Sequence, residues 1–195
     1  MILLITGPSG AGKSTFIGRL MEEDARLAFS VSTTTRPPRQ GEVAGRDYDF
    51  VDQATFDQLV AAGAFVEWAH VHGNCYGTRR SQLEAMTEAG QIPLLDIDVQ
   101  GGLNVIDLFD SQLVSVFLFP PSWGELERRL VSRNTDALET IATRLKNARH
   151  EVAQAGRYRF WLVNDDLETA VARMQAIITA EECRREAWSQ PPLAD

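Results

Sequence analysis

The chain reads as an α/β domain, and three observations lead there. First, the apolar run Ile2-Leu3-Leu4-Ile5 is short enough for a buried strand; it passes through a glycine-rich loop into Thr15–Met21, the start of a helix. Second, later apolar runs near 92–98, 113–119 and 160–163 are separated by helical stretches. Third, two segments of different character interrupt this core: a β-rich, hydroxyl-laden stretch at 32–82 and an arginine-rich helical stretch at 122–150. At 195 residues the whole is one domain, with core 1–31, 83–121 and 151–190, a lobe at 32–82 and a lid at 122–150.

The loop is Gly7-Pro8-Ser9-Gly10-Ala11-Gly12-Lys13-Ser14, followed by Thr15. It fits G-x-x-x-x-G-K-[ST] in the strand–loop–helix context that the motif requires. The glycines let the backbone turn tightly, so that successive N–H groups face a phosphate chain. The positive end of the following helix points at the same anion. Lys13 is placed to reach the β- and γ-phosphates, and the Ser14 hydroxyl to ligate Mg²⁺. Only two of the 19 basic side chains are lysines, Lys13 and Lys146. A chain that uses arginine almost everywhere keeps the compact ammonium where a point charge fits among phosphates.

Composition sets the outer limits. The net charge of −8 argues against broad nucleic-acid or anionic-membrane binding, so an anionic ligand needs a local basic site. Cys75 and Cys183 have no metal-ligand spacing and point to a reducing compartment. No basic region precedes the first strand and no apolar run reaches membrane-spanning length, so a cytoplasmic location is expected.

After the first helix, Ser30–Thr35 is β-branched and reads as a strand running into Arg36-Pro37-Pro38-Arg39, where two prolines stiffen a turn between two guanidiniums. Gly41–Tyr48 forms a turn ending at a phenol, and Phe50-Val51 closes that strand. Asp52–Ala62 is an amphipathic helix, with Phe56, Leu59 and Val60 inward and Gly63 as its stop. Phe65–Ala69 is a strand with Glu67 at its middle, and Gly73–Thr78 reads as a turn carrying Tyr76 and Thr78. His70 and His72 alternate on the strand without a third ligand, so they read as rim residues. Taken singly, the arginines suit a solvated turn and the tyrosines edge packing. Jointly, Arg36, Arg39, Tyr48 and Tyr76 suit a phosphate monoester. An ionised carboxylate only accepts hydrogen bonds, so Glu67 suits a ligand offering paired N–H donors, as guanine does at N1 and N2.

Ser81 is placed to cap a helix running to Ala89. Ile92–Asp98 is an apolar strand ending in acids, and Asp96 is a second candidate for managing Mg²⁺. Gln100-Gly101-Gly102 opens a helix; Leu113–Phe119 is a central strand stopped by Pro120-Pro121, and Ser122 caps the next helix. Arg128, Arg129, Arg133, Arg144 and Arg149 line two helical stretches broken near Asn134-Thr135-Asp136, the pattern of a lid. A pair such as Glu125–Arg129 also suits an exposed helix face. Phe160–Val163 is the last strand, and Leu167–Trp188 a long C-terminal helix.

The ordered segments Gly7–Thr15, Ser30–Arg39, Gly41–Val51, Phe65–Trp68, Gly73–Thr78, Leu95–Gly101, Arg129–Arg144 and Val163–Asp166 resemble the guanylate kinase family from Ile2 to about Glu182. The resemblance implies a P-loop kinase fold: a mostly parallel sheet flanked by helices, a GMP-binding lobe and a helical lid over ATP. It implies transfer of a phosphoryl group from ATP to GMP with Mg²⁺, in a monomer or small homo-oligomer. Carried over by residue, Arg36, Arg39, Tyr48 and Tyr76 look like the GMP phosphate clamp. Ser32, Glu67, Thr78 and Asp98 look like the guanine and nucleoside contacts. Arg133 and Arg144 look like lid arginines that meet the transferring group, Arg144 also from the GMP side, with Arg129 beside them. Asn164 resembles the position near adenine. Lys13, Arg39, Arg133 and Arg144 are thus the expected catalytic residues.

Three positions depart from the family pattern. Cys75 replaces a larger apolar residue, Arg79 stands where Ser is common and is expected to alter the pocket rim, and 135–139 carries fewer acids. Two other classes remain in view. Non-catalytic guanylate-kinase-like binding modules typically lose the loop residues, whereas Lys13 and Ser14 are present here. A kinase for another small phosphate need not keep Ser32, Glu67 and Thr78 together, and a simple NTPase switch has no need of the Arg36/Arg39/Tyr48/Tyr76 cluster.

Overall fold

A computed structural model describes residues 1–71, 73–109, 112–132 and 138–184. In chain order its elements are β1 (Ile2–Thr6), α1 (Lys13–Glu23), β2 (Leu27–Phe29), β3 (Thr33–Thr34), β4 (Asp49–Phe50), α2 (Gln53–Ala61), β5 (Phe65–Val71), β6 (Asn74–Arg79), α3 (Arg80–Glu88), β7 (Ile92–Asp96), α4 (Val99–Phe109), β8 (Leu113–Phe119), α5 (Trp123–Ser132), α6 (Leu138–Ala153), a short 3₁₀ turn (Ala155–Arg157), β9 (Phe160–Val163) and α7 (Leu167–Glu182).

Five strands form a parallel sheet in the order β2-β7-β1-β8-β9, with β1 at its centre. A parallel sheet is covered on both faces, so its strands read as continuous apolar runs. The two-residue period of β1 divides its side chains between two cores. Leu3 and Ile5 pack against Phe16 and Leu20 of α1 and Met174 and Ile178 of α7. Ile2 and Leu4 pack on the other face with Val99 and Val105 of α4 and Leu83 of α3. All four of these β1 side chains are buried, and each contributes roughly 1.5–3 kcal/mol of apolar burial.

The second sheet is mixed, in the order β4-β3-β6-β5. β3 runs parallel to β4 and antiparallel to β6; a register shift between Phe65 and Glu67 interrupts the β5–β6 ladder. Phe56 of α2, with Phe65 and Cys75, makes this unit's own small core, so Cys75 serves as a buried apolar filler. The hairpin α5–α6 has a third cluster, of Leu126, Leu130, Ile141 and Ala148.

Several elements differ from the sequence reading. Of the expected strand 30–35, only Thr33–Thr34 is strand, in the second sheet. Leu27–Phe29 belongs to the core sheet, the Ser30 N–H still donates to Leu94 O at 2.8 Å, and pairing resumes only at Thr33. Only Gly73 is a turn residue, with φ 82°, and 74–79 is a full strand. Its polar, glycine-containing sequence is held by two neighbours rather than by propensity, and a Cβ at Gly77 would lie 2.8 Å from the Phe65 ring. Ser81 lies inside α3, whose N-cap is Arg79 with no side-chain cap. β7 ends at Asp96, so Ile97 and Asp98 belong to the loop before α4. Helix α7 ends at Glu182, and 185–188 lie outside the described residues.

Candidate active site

The loop between β1 and α1 lines a cavity of about 360 Å³. Gly7, Ser9, Gly10, Gly12, Lys13, Ser14 and Thr15 form one wall, and Tyr48, Asp96, Asp98 and Glu151 stand across from it. Pro8 and Ala11 are buried and lie outside the lining; Ala11 N–H donates to Pro8 O at 3.0 Å. Helix α1 has no acid in its first turn, so its positive end is left for an anion. The Lys13 ammonium donates to Gly7 O at 2.7 Å, which holds it over the loop. Burial raises the Asp96 carboxyl above the ordinary range, and the Lys13 charge opposes that rise.

A second cavity of about 180 Å³ adjoins the first and shares Tyr48, Asp96, Ile97 and Asp98 with it. Ser32, Glu67 and Tyr76 complete its polar lining. Glu67 is 6% exposed, and burial pushes its carboxyl up to about 7. Thr78 Oγ1 donates to Glu67 Oε1 at 2.7 Å and opposes that rise, while Asp98 adds to it. Thr78 is thus a support beneath Glu67 rather than part of the wall. Asp98 Oδ1 accepts from Gly101 N–H at 2.8 Å, and a Cβ at Gly101 would sit 2.8 Å from Glu67 Oε2.

Arg36 reaches this region from the Pro37-Pro38 turn. Its guanidinium makes two bonds to Glu42, at 3.0 and 2.8 Å, and lies 5.1 Å from the Tyr48 ring centroid. Tyr76 also interacts with it, and the Tyr48 and Tyr76 rings meet edge-on with centroids 6.0 Å apart. Burial raises the Tyr48 phenol. The Arg39 side chain is exposed, while its N–H donates to Glu42 Oε2 at 2.7 Å. Glu42 therefore holds the Arg36 guanidinium and the Arg39 main chain, a role the sequence reading missed. The available signal was a carboxylate lying six residues from Arg36 across a proline turn.

Other expected site residues lie elsewhere. Arg129 and Asn164 stand behind the loop, where both donate to Ala11 O, at 3.3 and 3.0 Å. Arg144 lies half-buried on α6 and is not among the residues lining either cavity. Arg133 and His72 lie outside the described residues. Arg79 turns away from the second cavity: it bonds Thr33 Oγ1 at 3.0 Å and Asp49 at 2.6 Å, bracing β3 and β4. Among the described residues no group of three His, Cys, Asp or Glu is placed to hold a metal, and no helix is long and apolar enough to cross a membrane.

The family model for guanylate kinase matches residues 1–181. The guanylate kinase of Anaeromyxobacter dehalogenans (strain 2CP-C) is 47% identical over 195 residues, covering 100% of this chain and 86% of that protein. That of Syntrophotalea carbinolica is 47% identical over 184 residues, covering 94% and 87%. The crystal structure of guanylate kinase from Anaplasma phagocytophilum superposes with a TM-score of 0.79 at 36% identity, covering 95% of this chain and 87% of that one. Sequence and fold agree, and the chain belongs to the guanylate kinase family.

Proposed function

We propose that the two cavities are the donor and acceptor sites of an ATP:GMP phosphotransferase, working in cytoplasmic purine nucleotide metabolism to recycle GMP. The observation that carries this reading is their shared wall of Tyr48, Asp96, Ile97 and Asp98, which brings a nucleotide on the P-loop against an acceptor in the β-rich lobe.

GMP enters the smaller cavity with its base toward Glu67. The ionised carboxylate accepts from guanine N1 and N2, with Ser32 and Asp98 completing the pocket and Thr78 holding Glu67 from beneath. Arg36, Arg39, Tyr48 and Tyr76 hold the phosphate monoester. The phosphates of ATP lie on the loop N–H groups and Lys13. A single hydroxyl and a single carboxylate, Ser14 and Asp96, fit Mg²⁺ that arrives on the nucleotide phosphates, since Mg²⁺ keeps several waters and needs few protein ligands. When bound, Mg²⁺ neutralises charge on the phosphate oxygens. A GMP phosphate oxygen attacks the γ-phosphoryl in line, with no covalent protein intermediate. Lys13, Arg39, Arg133 and Arg144 stabilise the charge on the transferring group, while Arg129 and Asn164 border the donor site from behind the loop. Helices α5 and α6, the lid at 122–150, close to exclude water that would otherwise hydrolyse ATP.

ADP formation from ATP and Mg²⁺, measured with GMP, AMP, CMP, UMP and no acceptor, tests this reading. Turnover with GMP alone is expected. Equal turnover without acceptor would make the protein an NTPase. Saturable GMP binding with no turnover would make it a binding module.

A further inference from the structure

The back of the P-loop is built as deliberately as its front. The Ala11 carbonyl accepts from both Asn164 Nδ2, at 3.0 Å, and Arg129 Nη1, at 3.3 Å. The peptide that follows is trans and planar, so the Ala11 C=O and the Gly12 N–H point in opposite directions. Pinning the carbonyl toward α5 and β9 therefore turns the Gly12 N–H toward the cavity that Gly12 lines. Gly12 has φ 91°, and a Cβ there would lie 2.6 Å from Asn164 Nδ2, so the brace and a larger residue exclude each other.

Arg129 is itself held. Its Nε donates to Glu125 Oε1 at 2.7 Å. Ser122 and Glu125 have the S-x-x-E spacing of a capping box, in which the glutamate reaches back to the N-cap N–H. Half of that box forms: Glu125 N–H donates to Ser122 Oγ at 3.1 Å. The carboxylate is instead given to Arg128, through bonds of 2.7 and 2.8 Å, and to Arg129. Both arginines hold it well below the usual carboxylate range. A local helix rule set aside in this way marks a site where another requirement prevails. Arg128 is 72% exposed, whereas Arg129 is turned to the loop. Helix α5 is also seated on the loop through its side chains, since a Cβ at Gly10 would meet Leu126 at 2.9 Å.

We propose that Glu125 is a positioning residue for the donor nucleotide: it orients Arg129, which with Asn164 fixes the Ala11–Gly12 peptide so that the Gly12 N–H faces the phosphates. The proposal rests on the reading of this loop as the ATP site. Because Glu125 stands at the root of the helical hairpin, the same bonds tie the phosphate cradle to the first lid helix.

The test compares Glu125→Gln, Arg128→Gln, Arg129→Gln and the Glu125→Gln/Arg129→Gln double variant. Mg²⁺–ADP affinity is measured by calorimetry, KM for ATP and for GMP by steady-state kinetics, and stability by thermal unfolding. Glu125→Gln keeps the side-chain shape and the main-chain cap. It is expected to weaken ADP and raise KM for ATP about 5- to 10-fold, the size of one ordinary hydrogen bond, with KM for GMP within about 2-fold. Arg128→Gln, which loses the same carboxylate but not the loop contact, is expected to match the wild type. The double variant is expected to be no weaker than Arg129→Gln alone. Unchanged ADP affinity in Glu125→Gln overturns the proposal. So does a rise in both KM values together with a lower melting temperature, which marks a merely structural role. If Arg129→Gln does not fold, the contrast between Glu125→Gln and Arg128→Gln decides. Wild-type protein that binds no ADP sinks the donor-site reading itself, and the brace with it.

Discussion

In the proposed reaction Glu67 reads the base, and its chemistry is set by where the fold puts it. Replacing Glu67 with Gln places an amide donor against the guanine donors. We expect kcat/KM for GMP to fall by at least ~10²-fold while KM for ATP is unchanged, measured with the same acceptor panel. The wild-type pH profile should show the same group. Guanine needs the ionised form, so KM for GMP is expected to rise as pH falls below about 7, toward tenfold per unit. Stability of the ligand-free protein runs the other way. The folded-state value lies above the ordinary value of 4.5, so this group's contribution is full below about 4.5 and is lost as pH rises through about 7. Glu67→Gln is therefore expected to raise the melting temperature relative to wild type at pH 8 and to lose that advantage by pH 5. Arg39 offers a contrast. Its side chain is exposed, so Arg39→Ala should leave the melting temperature within about a degree of wild type while lowering kcat at least ~10²-fold. Near-normal turnover would remove it from the catalytic set.

At the scale of elements, the proposed acceptor site depends on a short mixed sheet in which the polar strand β6 is held by its neighbours β3 and β5. Strand β6 supplies both Tyr76 to the cavity and Thr78 to Glu67, and it is placed by Gly77 lying against Phe65. Gly77→Ala forces the Phe65 ring or the β5–β6 ladder to shift. We expect a loss of about 1–3 kcal/mol in denaturant unfolding, accompanied by a higher KM for GMP and an unchanged affinity for ADP. Equal weakening of both nucleotides would mean that the two sheets do not behave as separable units. The inner strands of the core sheet, β7, β1 and β8, need no such device, because they are largely apolar and buried on both faces.

For the whole molecule, the site is assembled from segments far apart in sequence. The first cavity draws on residues 7–15, Tyr48, 96–99 and Glu151, so its shape depends on how core, lobe and hairpin sit together. Occupying both cavities should draw these parts inward. Small-angle scattering is expected to show a smaller radius of gyration with GMP and a non-hydrolysable ATP analogue than with either alone or neither. An unchanged radius with both ligands bound would remove closure from the mechanism.

Much of this was legible in the residues because the physics there is local. The loop from Gly7 to Ser14 is contiguous, and its glycines, lysine and flanking strand and helix state their purpose within fifteen residues. The apolar runs that became β1, β7 and β8 announce burial on both faces. Ser122, read as the cap of the helix that follows it, does cap α5. What stayed hidden was non-local. Strand β6 reads as a turn because its hydroxyls and glycine are stabilised by β3 and β5 rather than by its own propensities. The run from Ser30 to Thr35 looks like one strand because nothing within it reveals that Ser30 still bonds the core sheet while Thr33 and Thr34 join the second. Glu42, Arg129 and Asn164 took their places from contacts across the fold: Glu42 between two arginines, the other two on one carbonyl. The sequence by itself determined the α/β class and the phosphate loop, since these follow from periodicity and a contiguous motif over short windows, whereas the expected acceptor-site side chains came in part from the resemblance to the family. Only the tertiary structure decided which of those side chains face a common cavity and which hold the others in place, because that depends on distances between residues up to 153 positions apart in the chain.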